Sequence, residues 1–362
     1  MRSSELLAAI REMRIPGADA QHPLHLMEVC GTHTMAIAKA GLRQLLPEHV
    51  KLISGPGCPV CVTPSGAMDA VLAFSQTSGM TLCTYGDLLR VPGTARGDNL
   101  LARRAKGASV RAVYSAMDAL EYAKENPGQQ VVFLAVGFET TAPGTAACIL
   151  AAKEEGLNNF SVLSLMKYTE PAIRAILADE ACQVGGLICP GHVAAVAGSD
   201  AFSFLPGEYG LPAVVAGFEG DDVIRAVYEL CAMRAQQKPD LVNAYARVVK
   251  PQGNPVAQAM LHKVFEPKND VWRGLGKIQD SGMAIRREYA EFDAAKRFSI
   301  EGLDRDAEKT NGCRCGEILR GVMEPAACSL FGRVCAPGNP VGPCMVSGEG
   351  ACAAAYKYQG VV

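Results

Sequence analysis

The sequence predicts an α/β protein. It has two similar tandem α/β domains, each with a four-stranded parallel sheet, and a mainly helical, cysteine-rich C-terminal domain. Three observations carry this reading. Short apolar runs alternate with helical patterns through the first two thirds of the chain. The first four runs are matched by four more at a nearly constant offset. Beyond Thr310 the chain turns Gly-, Pro- and Cys-rich, with little material for an apolar core.

The first series of apolar runs covers residues 24–29, 50–53, 80–85 and 110–114, each followed by Gly, Pro or a polar turn. The second covers 131–136, 161–166, 186–189 and 213–216. Helical patterns lie between them at 35–46, 65–75, 116–124, 145–154, 171–178 and 221–234. This alternation is what a parallel sheet covered by helices requires. Corresponding strands of the two series start 107, 111, 106 and 103 residues apart. Tandem duplication of a four-strand unit is the reading, with the boundary near Pro127 and Gly128. The predicted domains are therefore 1–126, 127–235 and 236–362. The third begins with a charged stretch, 236–309, with helical patterns at 255–264 and 284–292. Its Gly-, Pro- and Cys-rich end needs a staple, which a metal site supplies.

Composition excludes several classes of function. Thirty-five basic against 37 acidic residues leave a net charge of −2. That is no surface for generic nucleic-acid or anionic-membrane binding, which needs excess basic charge. No apolar run approaches the ~20 residues that span a bilayer. The first 14 residues read as an amphipathic helix, without the unbroken apolar centre of a secretory leader. A cytoplasmic protein is the expectation. No phosphate-binding G-x-x-x-x-G-K-[ST], no G-x-G-x-x-G after a strand, no C-x3-C-x2-C run and no G-x-S-x-G elbow is present.

Fourteen cysteines in such a chain point to metal binding or redox chemistry, because the cytoplasm keeps thiols reduced. Cys148, Cys182 and Cys231 lie in apolar or helical contexts and read as buried small hydrophobes. Six others crowd the last 50 residues: Cys313, Cys315, Cys328, Cys335, Cys344 and Cys352. Cys313, Cys328, Cys335 and Cys352 are separated by 14, 6 and 16 residues. Four thiolates suit tetrahedral zinc or an iron–sulfur cluster. Zinc ligands usually come in close C-x2-4-C pairs, so wide single spacing favours the cluster. Gly and Pro around them free backbone N–H groups to turn toward sulfur.

Gly55-Pro56-Gly57-Cys58-Pro59-Val60-Cys61 follows the strand ending at Ile53. A C-x-x-C opening a helix places Cys58 where the helix N-terminus favours the thiolate. A dithiol that cycles to a disulfide is the functional reading; metal ligation or two buried thiols are the alternatives. Glu28-Val29-Cys30-Gly31-Thr32-His33-Thr34 likewise ends a strand. Ligands of open parallel sheets bind at the carboxyl ends of strands. Cys30, Cys58 and Cys61 can therefore face one crevice, with His33 beside them. Gly137-Phe138-Glu139-Thr140-Thr141 and Pro190-Gly191-His192-Val193 occupy matching turns in the second unit. Glu139 and His192 are candidate acid–base groups. Thr140 and Thr141 serve equally well as helix caps.

Together with the tail Gly342-Pro343-Cys344-Met345-Val346-Ser347, these motifs resemble the HypD family of hydrogenase maturation proteins over nearly the whole chain. The resemblance implies two similar α/β domains and a third holding a [4Fe–4S] cluster. It implies a scaffold that, with the small chaperone HypC, holds an iron ion during assembly of the Fe(CN)2CO unit of [NiFe]-hydrogenases. Cyanide arrives from HypE as a protein thiocyanate, and the hydrogenase large subunit is an indirect partner. By motif, Cys30 is the ligand to that iron, shared with a HypC cysteine. Cys58 and Cys61 are the redox-active pair, and Cys313, Cys328, Cys335 and Cys352 hold the cluster. Cys344 is left outside the ligand set, because the spacing closes without it.

Soft thiolates suit low-spin iron carrying cyanide and carbon monoxide. Release of cyanide from a thiocyanate is reductive, so electrons are expected to pass from the cluster through Cys58 and Cys61 to the Cys30 site. Two competing classes are a general thiol–disulfide oxidoreductase with a structural zinc, and an assembly platform without redox activity.

Overall fold

The computed structural model describes residues 2–180, 183–305 and 312–358. Cys182, and the 309/310 step where the composition changes, lie outside these residues. Nine short strands form two parallel sheets: β1 (Leu24–Glu28), β2 (Val50–Ser54), β3 (Met80–Thr84), β4 (Val110–Ala112), β5 (Gln130–Ala135), β6 (Phe160–Ser164), β7 (Gly186–Pro190), β8 (Ala213–Ala216) and β9 (Leu241–Asn243). Eight of them are the apolar runs read from the sequence. The α/β class with two parallel sheets therefore holds.

The partition of strands is different from the tandem reading. One sheet has five strands in the order β2-β1-β7-β8-β9, the other four in the order β4-β3-β5-β6. The chain thus starts the first sheet, builds the whole second sheet, and returns. Residues 126 and 127 fall inside the second unit, because β5 pairs with β3. The first sheet extends past residue 235 through β9, which pairs with β8. Spacing reports the strand–helix repeat but not which strands pair. Where β7 meets β1, Leu26 lies opposite Gly186 and the two strands pack closely. A Cβ on Gly185 would collide with Leu24, and one on Gly186 would lie 2.9 Å from the Leu26 side chain.

Among the described residues, the C-terminal region holds, besides its short helices, an antiparallel hairpin of β10 (Phe265–Trp272) and β11 (Gly276–Ile285). Residues 284–292 are therefore not a helix. Ala284 and Ile285 end β11, and Arg287–Phe292 is a 3-10 segment. Gly274 and Gly276, at φ +81° and +73°, make the reversal that a helical reading overlooks. The hairpin is fastened to the second sheet by a buried ion pair, Lys167 Nζ to Asp270 Oδ2 at 2.8 Å. Trp272 is fully buried and stacks on Phe138 with ring centres 5.9 Å apart. The last helix, Ala351–Tyr358, packs on Gly31–Lys39, which brings the cysteine-rich tail to the carboxyl end of β1.

Candidate functional site

β1 ends at Glu28, which is completely buried. Its carboxyl accepts hydrogen bonds from Thr34 Oγ1 at 2.6 Å and from the Cys30 N–H at 3.2 Å. Burial pushes Glu28 up to about 7, against the opposing pull of Thr34, Ser54 and Arg43. This internal brace shapes the Cys30 turn before helix Gly31–Lys39 begins. The following strand delivers the second turn against the first. The Gly31 N–H donates to Gly57 O at 2.9 Å, and Gly55 N–H to Glu28 O at 2.8 Å. A Cβ on Gly57 would run into the Cys30 backbone. The two thiol-bearing turns are in backbone contact because residue 57 has no side chain.

Cys58 caps the short helix Pro59–Val62, and its Sγ accepts the Cys61 N–H at 3.2 Å. Cys58 and Cys61 are joined by a disulfide. The C-x-x-C turn thus brings its two sulfurs into bonding contact.

A cavity of about 270 Å³ opens between the carboxyl ends of the two sheets. Cys30 and Thr32 line it after β1, Gly57, Pro59 and Val60 after β2, and Tyr85 and Asp87 after β3. Phe138, Thr140 and Thr141 follow β5, His192 follows β7, and Glu349 comes from the tail. The Cys58 and Cys61 sulfurs do not line it; both residues are buried, and the wall between them and the cavity is their own turn. Burial pushes the Cys30 thiol up to about 12, opposed by the His33 and Thr32 N–H groups and reinforced by Glu349 and Glu28. Burial thus favours the neutral thiol at Cys30.

The structure separates the candidate acid–base residues. His192 lines the cavity and stacks on Phe218 with centres 4.0 Å apart. Burial holds it below the ordinary imidazole range. His33 does not reach the cavity. It is fully buried, its Nε2 donates to Gly217 O at 2.9 Å, and its ring lies 4.7 Å from that of Phe218. Glu139 faces a neighbouring cavity of about 220 Å³. There it accepts the Thr169 N–H at 2.8 Å and Oγ1 at 2.7 Å, and burial raises its pKa. Thr141 occupies the N-cap of Ala142–Glu154, but its hydroxyl donates back to Phe138 O at 3.2 Å.

Sequence reasoning overlooked two carboxyl groups at the cavity, Asp87 and Glu349. Glu349 Oε1 accepts the Thr32 hydroxyl at 2.9 Å, and burial raises the pKa of both acids. Glu349 stands two residues after the Gly-Pro-Cys-Met-Val-Ser motif, a position that was available but carries no chemistry without the fold.

The C-terminal thiols converge. Cys313 Sγ lies 3.0 Å from Cys315 Sγ, and Cys315 in turn contacts both Cys344 and Cys352. Cys335 accepts the Val341 N–H at 3.4 Å and feels Cys315 and Cys328. Cys315 and Cys344, set aside by spacing, therefore stand inside the group. Among the described residues, no three His, Cys, Asp or Glu side chains are arranged to hold a single metal ion. The donor set is all sulfur, mostly buried, with a backbone N–H turned to it. That chemistry fits a thiolate-ligated iron–sulfur centre. The segment Pro343–Met345, which carries Cys344, packs directly on helix Pro59–Val62. No helix among the described residues is long and apolar enough to cross a membrane.

Residues 3–359 match the family model described as "HypD: Hydrogenase formation hypA family". The hydrogenase maturation factor HypD of Azotobacter vinelandii is 46% identical over 347 residues, covering 94% of this chain and 91% of that protein. The protein of the same name from Cupriavidus necator is 45% identical, covering 92% and 89%. That of Escherichia coli K12 is 43% identical, covering 94% and 90%. Matched over nearly its whole length by the family model and by these relatives, the chain belongs to the HypD family of hydrogenase maturation factors.

Proposed function

We propose that this chain is the scaffold on which the iron of [NiFe]-hydrogenases receives its diatomic ligands. Cys30 holds the iron ion, together with a cysteine of the chaperone HypC, while two cyanides carried by HypE and one carbon monoxide are attached. The observation that carries this reading is the placement of Cys30 in a cavity walled by the turn of the Cys58–Cys61 disulfide. One side chain is a soft ligand. The pair behind the wall is a two-electron store.

The chemistry balances on this chain's own residues. The disulfide takes up two electrons and two protons and opens to two thiols. Cyanide release then consumes them: the thiocyanate S–C bond breaks, its sulfur leaves as a thiol, and cyanide departs as the anion. The Cys58–Cys61 bond re-forms, and one proton is released. His192 and Glu349, at the cavity, are the groups placed to take up that proton. Cys313, Cys328, Cys335 and Cys352 would hold a [4Fe–4S] cluster, which would supply the two electrons to the disulfide one at a time.

The test is anaerobic co-purification with HypC and HypE, with metal analysis and infrared spectra in the cyanide and carbonyl stretching region. Wild type is expected to carry iron with both kinds of band. Cys30→Ala loses the bands while keeping the iron of the C-terminal centre. Cys58→Ala/Cys61→Ala keeps that iron as well but accumulates no cyanide bands. Undiminished cyanide bands in the double variant would remove the pair from the reaction. Zinc in place of iron would favour a plain thiol–disulfide oxidoreductase.

A further inference from the structure

The cavity that Glu139 faces adjoins the Cys30 cavity, and Val193 lines both. Phe138 lines the first and its chain neighbour Glu139 the second, so a single turn after β5 serves the two. Tyr168 and Thr169 follow β6, and helix Gly191–Ala197 follows β7. The second cavity therefore lies, like the first, at the carboxyl ends of the strands.

Its lining combines two chemistries. Val193, Val196, Phe202 and Leu261 supply apolar walls, and Glu139 and Glu170 supply carboxyl groups. Glu170 is exposed and paired with Arg174 at 2.9 Å. Glu139 has 9% of its surface exposed and is held by the Thr169 N–H and hydroxyl. No lysine, arginine or histidine lies within ion-pair distance of it among the described residues. A buried carboxyl held only by neutral donors lacks a counter-charge, and a cation brought to it favours the ionised form. Apolar walls suit a hydrocarbon stem and the acid suits a positive head, which is the chemistry of a lysine or arginine side chain. A metal ion fits less well, because the apolar walls offer no ligand and no three metal-binding side chains converge among the described residues.

We propose that this second cavity receives a lysine or arginine side chain of the segment that carries thiocyanate to Cys30, with Glu139 as its counter-charge. Glu139 is then a specificity-determining residue for the carrier. The inference rests on the cyanide-delivery reading above. Because the two cavities share a wall, a chain that reaches Cys30 along this face passes the second cavity within a few residues of its own cysteine, at about 3.3 Å per extended residue. Filling both cavities together fixes the register of the carrier segment, which one thiocyanate group by itself does not.

The full-length chain in complex with HypC is titrated with HypE in a calorimeter. Glu139→Gln keeps the shape and the contacts to Thr169 but removes the charge, and its urea transition reports whether the fold is retained. It is expected to weaken HypE binding about tenfold, the loss typical of one partner of a buried interfacial charge pair. In HypE, the lysines and arginines that flank the cyanide-bearing cysteine are changed to Met one at a time. One of these is expected to weaken binding about tenfold to the wild-type chain and to cost nothing further against Glu139→Gln, because the two residues act as one pair. Ala197→Leu, which narrows the cavity from its apolar side, takes the place of the Gln variant if that one does not fold. Undiminished HypE binding by Glu139→Gln overturns the proposal, as does a loss that couples to no lysine or arginine of the carrier segment. If the wild-type complex does not bind HypE at all, the delivery reading itself fails and takes this proposal with it.

Discussion

His33 shows how a single residue can sit in a signature motif and stay out of the cavity. Its Nε2 donates to Gly217 O, so the neutral tautomer leaves Nδ1 buried and without a partner among the described residues. Burial pushes it down to about 4 from the ordinary 6.5. A depressed imidazole value means that the folded state binds fewer protons than the unfolded one below pH 6.5. Its stabilisation is complete above that pH and is lost as pH falls through about 4. The gap corresponds to about 3 kcal/mol. His33→Gln keeps a donor toward Gly217 without titrating. Urea denaturation at pH 7 and pH 4 is expected to show wild type losing about 3 kcal/mol more than the variant. Equal losses would mean that His33 is charged, or solvated, in the fold. Next door, Cys30 was legible because a cysteine after an apolar strand and before a helical run can only end up at a strand's carboxyl end. Glu349 was not, because nothing local tells a tail carboxylate that it will meet Thr32.

Among elements, the β10–β11 hairpin is the one that sequence reading lost. Its strands carry charges outward at Glu266, Lys268 and Lys277 and bury Phe265, Trp272 and Met283, a pattern that a charged helix shares. What holds it is Lys167, buried with its Nζ on Asp270 Oδ2 and on Val271 O, each at 2.8 Å. Burial pushes this lysine down to about 8, against the pull of Asp270. Removing one partner leaves the other charge buried. Lys167→Met is expected to cost about 3–5 kcal/mol, and Lys167→Met/Asp270→Leu to recover most of it. Chemical denaturation of the two variants checks this. A double variant no better than the single would show that the pair is needed for more than mutual charge compensation. The strand–turn–helix units at Cys30 and at Cys58 were, by contrast, read correctly, because their Gly and Pro punctuation is local.

The whole molecule is a chain that leaves its first sheet and comes back. β1 and β2 wait for β7, β8 and β9 to complete their sheet, and the second sheet is finished in between. Such pairing is long-range and carries a loop-closure cost before it stabilises anything. The cavity lies where the carboxyl ends of both sheets meet, so neither half of the chain contains it. Fragments 1–126 and 127–362, expressed separately, are each expected to lack a cooperative urea transition. A cooperative transition in fragment 1–126 would restore the tandem arrangement. Eight of the nine parallel strands, the two thiol turns and the crowd of C-terminal cysteines follow from the order of residues along the chain. Each depends on hydrophobic period, turn chemistry or composition within a few residues. Which strands pair, and that His33 and Glu139 stay outside the Cys30 cavity while His192 and Glu349 enter it, were decided only in three dimensions. Those outcomes depend on packing between segments far apart in the chain, as where Gly57, with no room for a Cβ against the Cys30 backbone, lets two turns touch.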